Sequence, residues 1–277
     1  MVDVKYMGLY NYVPSFGAAI VFTALFGITS IVHFIKLIRT RTWFFIPFLI
    51  GGLFETVGFA ARAVSAHQFP NYTEVPEIIQ AILILVAPAL FAASIYMSLG
   101  RIIILTNGEK YAIIRRTWLT KIFVLGDIVS FLAQAGGAGL QAGGKTDQIK
   151  NGERIVKIGL LIQIVFFGLF ILTSIIFHQR LSRHLWLRQS TAKIPWKKHI
   201  FALYISSALI FVRSIFRLAE YSQGSDGNII QHEWYQYVFD AALMVGVMVL
   251  FVVMHPGEIK RLIMEKEADD RLVVNMS

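Results

Sequence analysis

Arg213, Arg217 and Glu220 lie four and three residues apart inside an apolar stretch long enough to cross a bilayer. At about 100° per residue their side chains share one helical stripe. A charge at membrane depth costs roughly 2.5–3.5 kcal/mol on insertion scales, so such a stripe must face protein or water. Glu55 and Arg62 repeat the pattern seven residues apart, beside Gly51, Gly52 and Gly58, which allow a neighbouring helix close. Asp127, Ser130 and Gln134 form a third stripe, and Gln163 and Asp240 add further polar groups in apolar surroundings. Two chemistries fit. An Arg217–Glu220 ion pair would staple helices together. Alternatively the set lines a polar pocket between helices. In that pocket Glu55, Asp127, Glu220 and Asp240 outnumber Arg62, Arg213 and Arg217 by one charge, an excess suited to a cationic amine on an apolar tail.

The elements that must position these residues follow from composition. The 277-residue chain is 56% hydrophobic and 16% charged, with mean hydropathy +0.62, against about 25% charged residues in a soluble domain. An all-α, polytopic seven-transmembrane bundle is predicted, with spans at about 17–38, 43–64, 77–105, 118–141, 155–177, 199–220 and 234–254. Residues 1–16 form an N-terminus with no basic n-region, 17–254 the transmembrane domain and 255–277 a tail too short to fold alone. The net charge of +9 does not point to nucleic acid, because the basic residues crowd alternate short loops. Lys36, Arg39 and Arg41, then Lys110, Arg115 and Arg116, then Arg180 to Lys198, then the tail, all belong on one side. The N-terminus is therefore expected outside and the C-terminus in the cytosol. With alternating helix direction, Arg62, Gln134, Gln163, Arg217, Glu220 and Asp240 fall in the outer half of the bilayer. Glu55 and Arg213 lie nearer the middle.

Several patterns invite chemistry that their setting denies. Residues 139–146, GLQAGGKT, fit a phosphate-binding loop. They follow a membrane helix rather than a buried strand and have no acidic magnesium ligand, so nucleotide binding is not expected. Their glycines read as helix-packing and turn residues. Zero cysteines exclude disulfides, thiol catalysis and Cys-ligated metals. His33, His178 and His255 lack metal-ligand spacing and are expected at helix ends near the interface, so neither metal nor other cofactor is implied. Pro88 frees a backbone carbonyl within the third span. Arg101 is expected to reach the cytosolic head groups.

In this order and on these spans, the residues resemble the fungal lipid-translocating exporter family of RTA-like proteins. The resemblance rests on Tyr12-x-Pro14, Glu55-x-x-Gly58-Phe59-x-x-Arg62, Ala87-Pro88 with Ala92, Ala93 and Tyr96, and Gly100-Arg101. It continues through Asp127-x-x-Ser130-x-x-x-Gln134-x-Gly136-Gly137, Gly159-Leu160-x-x-Gln163 and Arg213-x-x-Phe216-Arg217-x-x-Glu220. It closes with Glu233, Tyr237, Asp240 and His255-Pro256-Gly257. Phe59 stands where a Tyr is frequent, and the first span lacks a polar Asn. The resemblance implies a seven-helix transporter or flippase-like exporter of sphingoid long-chain bases or related toxic amphiphiles, or of porphyrin or haem. It also implies a fungal plasma membrane, with the vacuole or another endomembrane as alternatives.

A lipid-sensing seven-helix receptor has the same helix count, but the chain shows neither a DRY-like triplet after the third span nor an NPxxY-like seventh span. The seventh span lacks the Lys that would bind retinal. No paired acid/base constellation marks an enzyme. The expected partners are membrane lipids and an amphipathic small molecule, with a second copy of the chain possible; nucleic acid and nucleotide are not expected. The topology is open to test at the sequon Asn71-Tyr72-Thr73. Asn71 should be glycosylated in a secretory-pathway host, while a C-terminal tag on intact cells resists external protease; a digested tag would reverse the orientation.

Overall fold

In lipid an apolar segment can satisfy its backbone only as a helix or a closed barrel, and the apolar spans among the described residues take the first course. The computed structural model describes residues 12, 14–68, 73–142, 146–187, 196–223 and 227–276. Helix α1 is Phe16–Thr40, and a short 3-10 turn, Trp43–Phe45, leads into α2, Ile46–His67. Then come α3, Glu74–Leu105; α4, Arg116–Ala142; α5, Thr146–Leu187; and α6, Trp196–Gln223. Helix α7 is built of three consecutive pieces, Glu233–Gln236, a π-helical stretch Tyr237–Ala241, and Ala242–Val253; α8 is Gly257–Met276. Among the described residues, seven helices are long and apolar enough to cross a membrane.

Local chemistry sets the ends. Ser15 caps α1 by accepting from the Ala18 N–H at 3.3 Å. At the far end Arg41 turns into the left-handed region, φ 51°, and its N–H closes on the carbonyls of Ile38 and Leu37. The outward faces stay apolar, with Ile28, Ile31, Leu125, Leu132, Val165 and Phe201 exposed where lipid would lie. The inside is unusually aromatic: Phe26, Phe45, Phe48, Phe59, Phe91, Phe123, Phe167 and Phe170 are all fully buried.

Two elements differ from expectation. Helix α5 is 42 residues long, about 63 Å at 1.5 Å per residue, twice the ~30 Å of a hydrocarbon core. The polar run 146–154, read from hydropathy as a loop, is its first turns. Here the Gly137 and Gly152 backbones touch, a Cβ on either coming 2.6 or 2.5 Å from the other's carbonyl oxygen. By contrast a Cβ on Gly136 or Gly139 would meet nothing within 4 Å. Residues 257–276, expected as a short tail, form α8, because Ile259, Leu262 and Ile263 make one apolar stripe against the bundle. Lys266 Nζ donates to the Leu105 carbonyl at 3.2 Å and Lys260 Nζ to the Arg41 carbonyl at 2.8 Å, tying α8 to the ends of α3 and α1. Asn71 and residues 143–145 of the phosphate-loop pattern lie outside the described residues.

The glycine contact yields a contrast. Gly152→Ala should destabilise the protein by about 1–3 kcal/mol through overpacking, lowering its thermal midpoint in detergent, while Gly139→Ala leaves the midpoint within error. Equal midpoints for both variants would mean that the α4–α5 contact is not close-packed.

Candidate functional site

The polar residues singled out from the sequence do not share one pocket; the fold sorts them into four groups. The first is at the start of α7. Arg62 of α2, fully buried, donates from Nη2 to Glu233 Oε1 and to the Tyr12 hydroxyl, each at 2.7 Å, and from Nε to the Tyr237 hydroxyl at 3.1 Å. Tyr12 in turn donates to Gln236 at 3.0 Å, and the Ser15 N–H to the second Glu233 oxygen at 2.8 Å. Burial raises the Tyr12 hydroxyl's pKa against the opposing pull of the Arg62 charge, so it remains a neutral donor. Glu233 therefore neutralises Arg62. Residue spacing could not show this partnership, because Glu233 and Tyr12 lie at or beyond the edges of the apolar spans.

The second group occupies the middle of the bundle. Pro88 cannot donate to the Ile84 carbonyl one turn back, and Arg213 of α6 takes that oxygen with Nη2 at 3.1 Å. Arg213 Nε pairs with Asp240 Oδ1, while Asp240 Oδ2 faces Arg217 Nε at 3.7 Å. Arg217 also donates from Nη1 to Glu220 at 2.8 Å, so the expected ion pair is present, but it lies within α6 and does not itself join two helices. Asp240 lies in the π-helical stretch of α7, whose extra residue per turn re-aims the side chains around it. Glu55 of α2 is within electrostatic reach of Asp240, Arg213 and Arg217. It is 0% exposed, yet neither of its carboxyl oxygens receives a hydrogen bond from the described residues.

The remaining two groups face elsewhere. Asp127 accepts from the Tyr96 hydroxyl at 2.9 Å amid Phe123, Phe167 and Phe170. Gln134 donates to Ser130 at 2.7 Å and to Gln163 at 3.1 Å, and Ser130 donates to the Gly159 carbonyl at 2.7 Å. Both groups join α4 to its neighbours, Asp127 toward α3 and Gln134 toward α5. Common depth does not make a common pocket, because residues at one depth point to different helix pairs.

The charge excess persists with other members. In the central group Glu55, Glu220 and Asp240 face Arg213 and Arg217, again one acid in excess, and Glu55 is the acid without a donor. Aromatic layers close it on both sides. Phe22, Phe26, Phe59 and Tyr237 pack together with ring centroids 5.1–6.1 Å apart toward Arg62. Phe45, Phe48, Phe91 and Phe251 do so at 4.4–5.4 Å toward the basic end of the bundle, which holds Arg39, Arg41 and Lys260. His33 and His255, expected at the interface, are instead buried beside this second layer, with His33 edge-on to Phe48 at 4.9 Å. His178 meets the Tyr204 hydroxyl at 3.1 Å. Arg101 lies over the Phe44 ring at 5.0 Å.

A seven-helix bundle with apolar outer faces and a charged, occluded centre defines an integral membrane protein that encloses a polar site at mid-depth. The family described as "RTA1 like protein" matches residues 48–262, and the chain belongs to that family. Its relatives include Protein RTM1 of Saccharomyces cerevisiae, 37% identical over 88% of this chain and 90% of that protein. Protoporphyrin uptake protein 1 of the same species is 36% identical over 88% and 91%. The sphingoid long-chain base transporter RSB1 of S. cerevisiae is 28% identical over 88% of this chain and 72% of its own length. No solved structure matches the chain.

Tyr96→Phe tests the Asp127 group. Leaving the buried carboxyl without its donor should cost about 1–3 kcal/mol, read as a lower thermal midpoint in detergent. Adding Asp127→Leu should recover most of the loss; a single variant as stable as wild type would show that Asp127 does not depend on Tyr96.

Proposed function

We propose that this protein is a transporter of amphipathic lipids carrying a cationic amine, of the sphingoid-base type, across a fungal plasma membrane or related membrane. The observation that carries the reading is Glu55: a fully buried carboxyl with no hydrogen-bond donor among the described residues, the excess acid of a charged group at mid-depth. A buried carboxylate is costly unless paired and hydrogen-bonded. An ammonium head group would supply both, with three N–H donors, while its hydrocarbon tail stays among the apolar faces or in lipid. Arg213, Arg217, Glu220 and Asp240 form the fixed frame around that position. Arg62 with Glu233 and Tyr12 forms the outer latch, and the two aromatic layers are the barriers that must part in turn. Asp127, Gln134 and Gln163 act in this reading as helix-joining groups rather than cargo ligands. The relatives named for sphingoid-base transport and protoporphyrin uptake support a small-molecule carrier. Between those cargoes the negative excess at Glu55 favours an amine over a porphyrin bearing carboxylates. The arrangement offers a binding and release cycle rather than bond-making chemistry.

Glu55→Gln preserves shape and removes the charge without breaking a protein hydrogen bond. It should cut efflux of a sphingoid base from cells at least tenfold at unchanged surface abundance. Glu220→Gln, which breaks the Arg217 pair, should lower abundance as well. Wild-type efflux from Glu55→Gln at wild-type abundance would remove Glu55 from the cargo site.

A further inference from the structure

Buried polar side-chain atoms nearly always find a hydrogen-bond partner, yet a row of them along the α1–α2–α7 interface finds none among the described residues: Glu55 Oε1 and Oε2, Ser30 Oγ, His33 Nδ1 and His255 Nε2. The row has an order. Ser30 Oγ is 2.6 Å from the position of a Cβ on Gly52, a residue that must stay small because Met248 also occupies that space. Glu55 lies one turn further along α2, about 4.5 Å of rise. His33 is one turn beyond Ser30 on α1, toward the basic end. The His33 and His255 ring centroids are 6.2 Å apart. His255 and Lys36 line a cleft of about 900 Å³ between the ends of α1 and α8. The row thus begins at the candidate cargo carboxyl and ends at an open cleft.

The two imidazoles are complementary. His33 Nε2 is 3.0 Å from the Met248 carbonyl, an acceptor only, so this nitrogen carries the hydrogen and the neutral ring leaves Nδ1 with a lone pair. His255 Nδ1 accepts from the Gly257 N–H at 3.0 Å, which places the hydrogen of its neutral ring on Nε2. One orphan is therefore an acceptor and the other a donor. A single water between them satisfies both, and a polar site with several converging partners is where buried water resides. The charged and titratable groups facing Glu55 are Asp240 of α7 and Arg213 and Arg217 of α6. Lys36 and His255 face His33, and His33 and Lys36 face His255.

We infer that Ser30, His33 and His255 form a hydrated proton path between Glu55 and the cleft at the basic end, and that the cargo amine and a proton exchange at Glu55. This rests on the amine reading of that site. The step balances. The O–H bond of the Glu55 carboxylic acid breaks as the ammonium enters and pairs with the carboxylate. The proton passes through water at Ser30 Oγ to the water held between His33 Nδ1 and the His255 N–H; His33 Nδ1 takes it up and gives it back to that same water, which opens on the cleft. One ammonium enters and one proton leaves, so the buried site keeps its charge. A proton gradient can then drive the amine without nucleotide.

The test uses the full-length protein in phosphatidylcholine/phosphatidylglycerol vesicles containing a pH-sensitive dye. The substrate is a radiolabelled trimethylammonium analogue of sphinganine, which carries no titratable proton of its own. In wild type, uptake should be accompanied by alkalinisation of the lumen at about one proton per analogue. His33→Gln keeps an amide N–H for the Met248 carbonyl but cannot accept the proton. It should bind the analogue within twofold of wild type in detergent, yet slow the coupled alkalinisation at least tenfold. His255→Asn, whose carbonyl can still accept from the Gly257 N–H, should behave the same way. Uptake without alkalinisation, or alkalinisation at wild-type rate in both variants, overturns the path and leaves the amine reading standing. Sphinganine itself is run beside the analogue, because the quaternary head group lacks the N–H donors; absence of uptake of both by wild type overturns the amine reading and the exchange with it.

Discussion

The Ile84 carbonyl is the fixed point of this bundle. Pro88 removes its helical partner, and at mid-membrane an unpaired carbonyl costs several kcal/mol. The oxygen must be satisfied from another helix, and the donor is a guanidinium. That choice has consequences. A buried arginine requires an acid, which Asp240 supplies from α7, and the π-helical stretch there aims it. Asp240 in turn faces Arg217, whose partner is Glu220. Three helices, α3, α6 and α7, are thereby locked by one chain of dependences that starts at a proline.

This locking leaves Glu55 free of structural duty. Every other acid at the centre accepts a hydrogen bond or pairs with an arginine, so each is committed to holding helices together. Glu55 is held among them by packing alone: on its own helix Gly51 admits Phe91 and Gly52 admits Met248. A rigid, charged frame beside one uncommitted carboxyl is the pre-organisation a binding site needs, because the frame does not reorganise when the ligand arrives. The aromatic layer toward Arg62 closes that end of the site, while the layer toward the basic end has the polar row of Ser30, His33 and His255 beside it. The layers also explain why the bundle interior is so rich in phenylalanine: flat rings fill it without adding polar groups.

The helices themselves were legible in the sequence, since long apolar runs in lipid leave no alternative, and the Arg217–Glu220 pair followed from its spacing alone. The grouping of the polar residues was not. Helical spacing gives depth and the face of one helix; which neighbour that face meets is decided by packing across the bundle, where Gly51, Gly58 and Gly137 permit close approach. Glu233 was visible only as part of a family pattern, because it lies at the rim of its span. Tyr12 belongs to the segment before the first span and reaches Arg62 across the bundle. The start of α5 and the docked α8 were misjudged for one reason: hydropathy marks where a chain enters lipid, whereas helices continue as long as their own turns and a packing partner support them. Position near a helix end places His33 and His255 at the interface, but Phe45 packs against both rings and Phe48 against His33.

In the proposed reading, a single carboxyl that serves both a cation and a proton ties these observations together. Had the centre contained equal numbers of acids and bases, an ammonium could enter only by displacing an arginine from its partner, at the full cost of stranding a buried charge, about 3–5 kcal/mol. With one acid in excess, the frame keeps its bonds in both states, and only the occupant of Glu55 changes. The same arithmetic explains why Arg62 needs Glu233. Without that partner, the guanidinium would cancel the excess and present a repulsive charge to a cation passing that end of the bundle. Pairing it with an acid from α7 removes the barrier and also ties α2 to α7, so opening that end requires the pair to move with the helices that carry it.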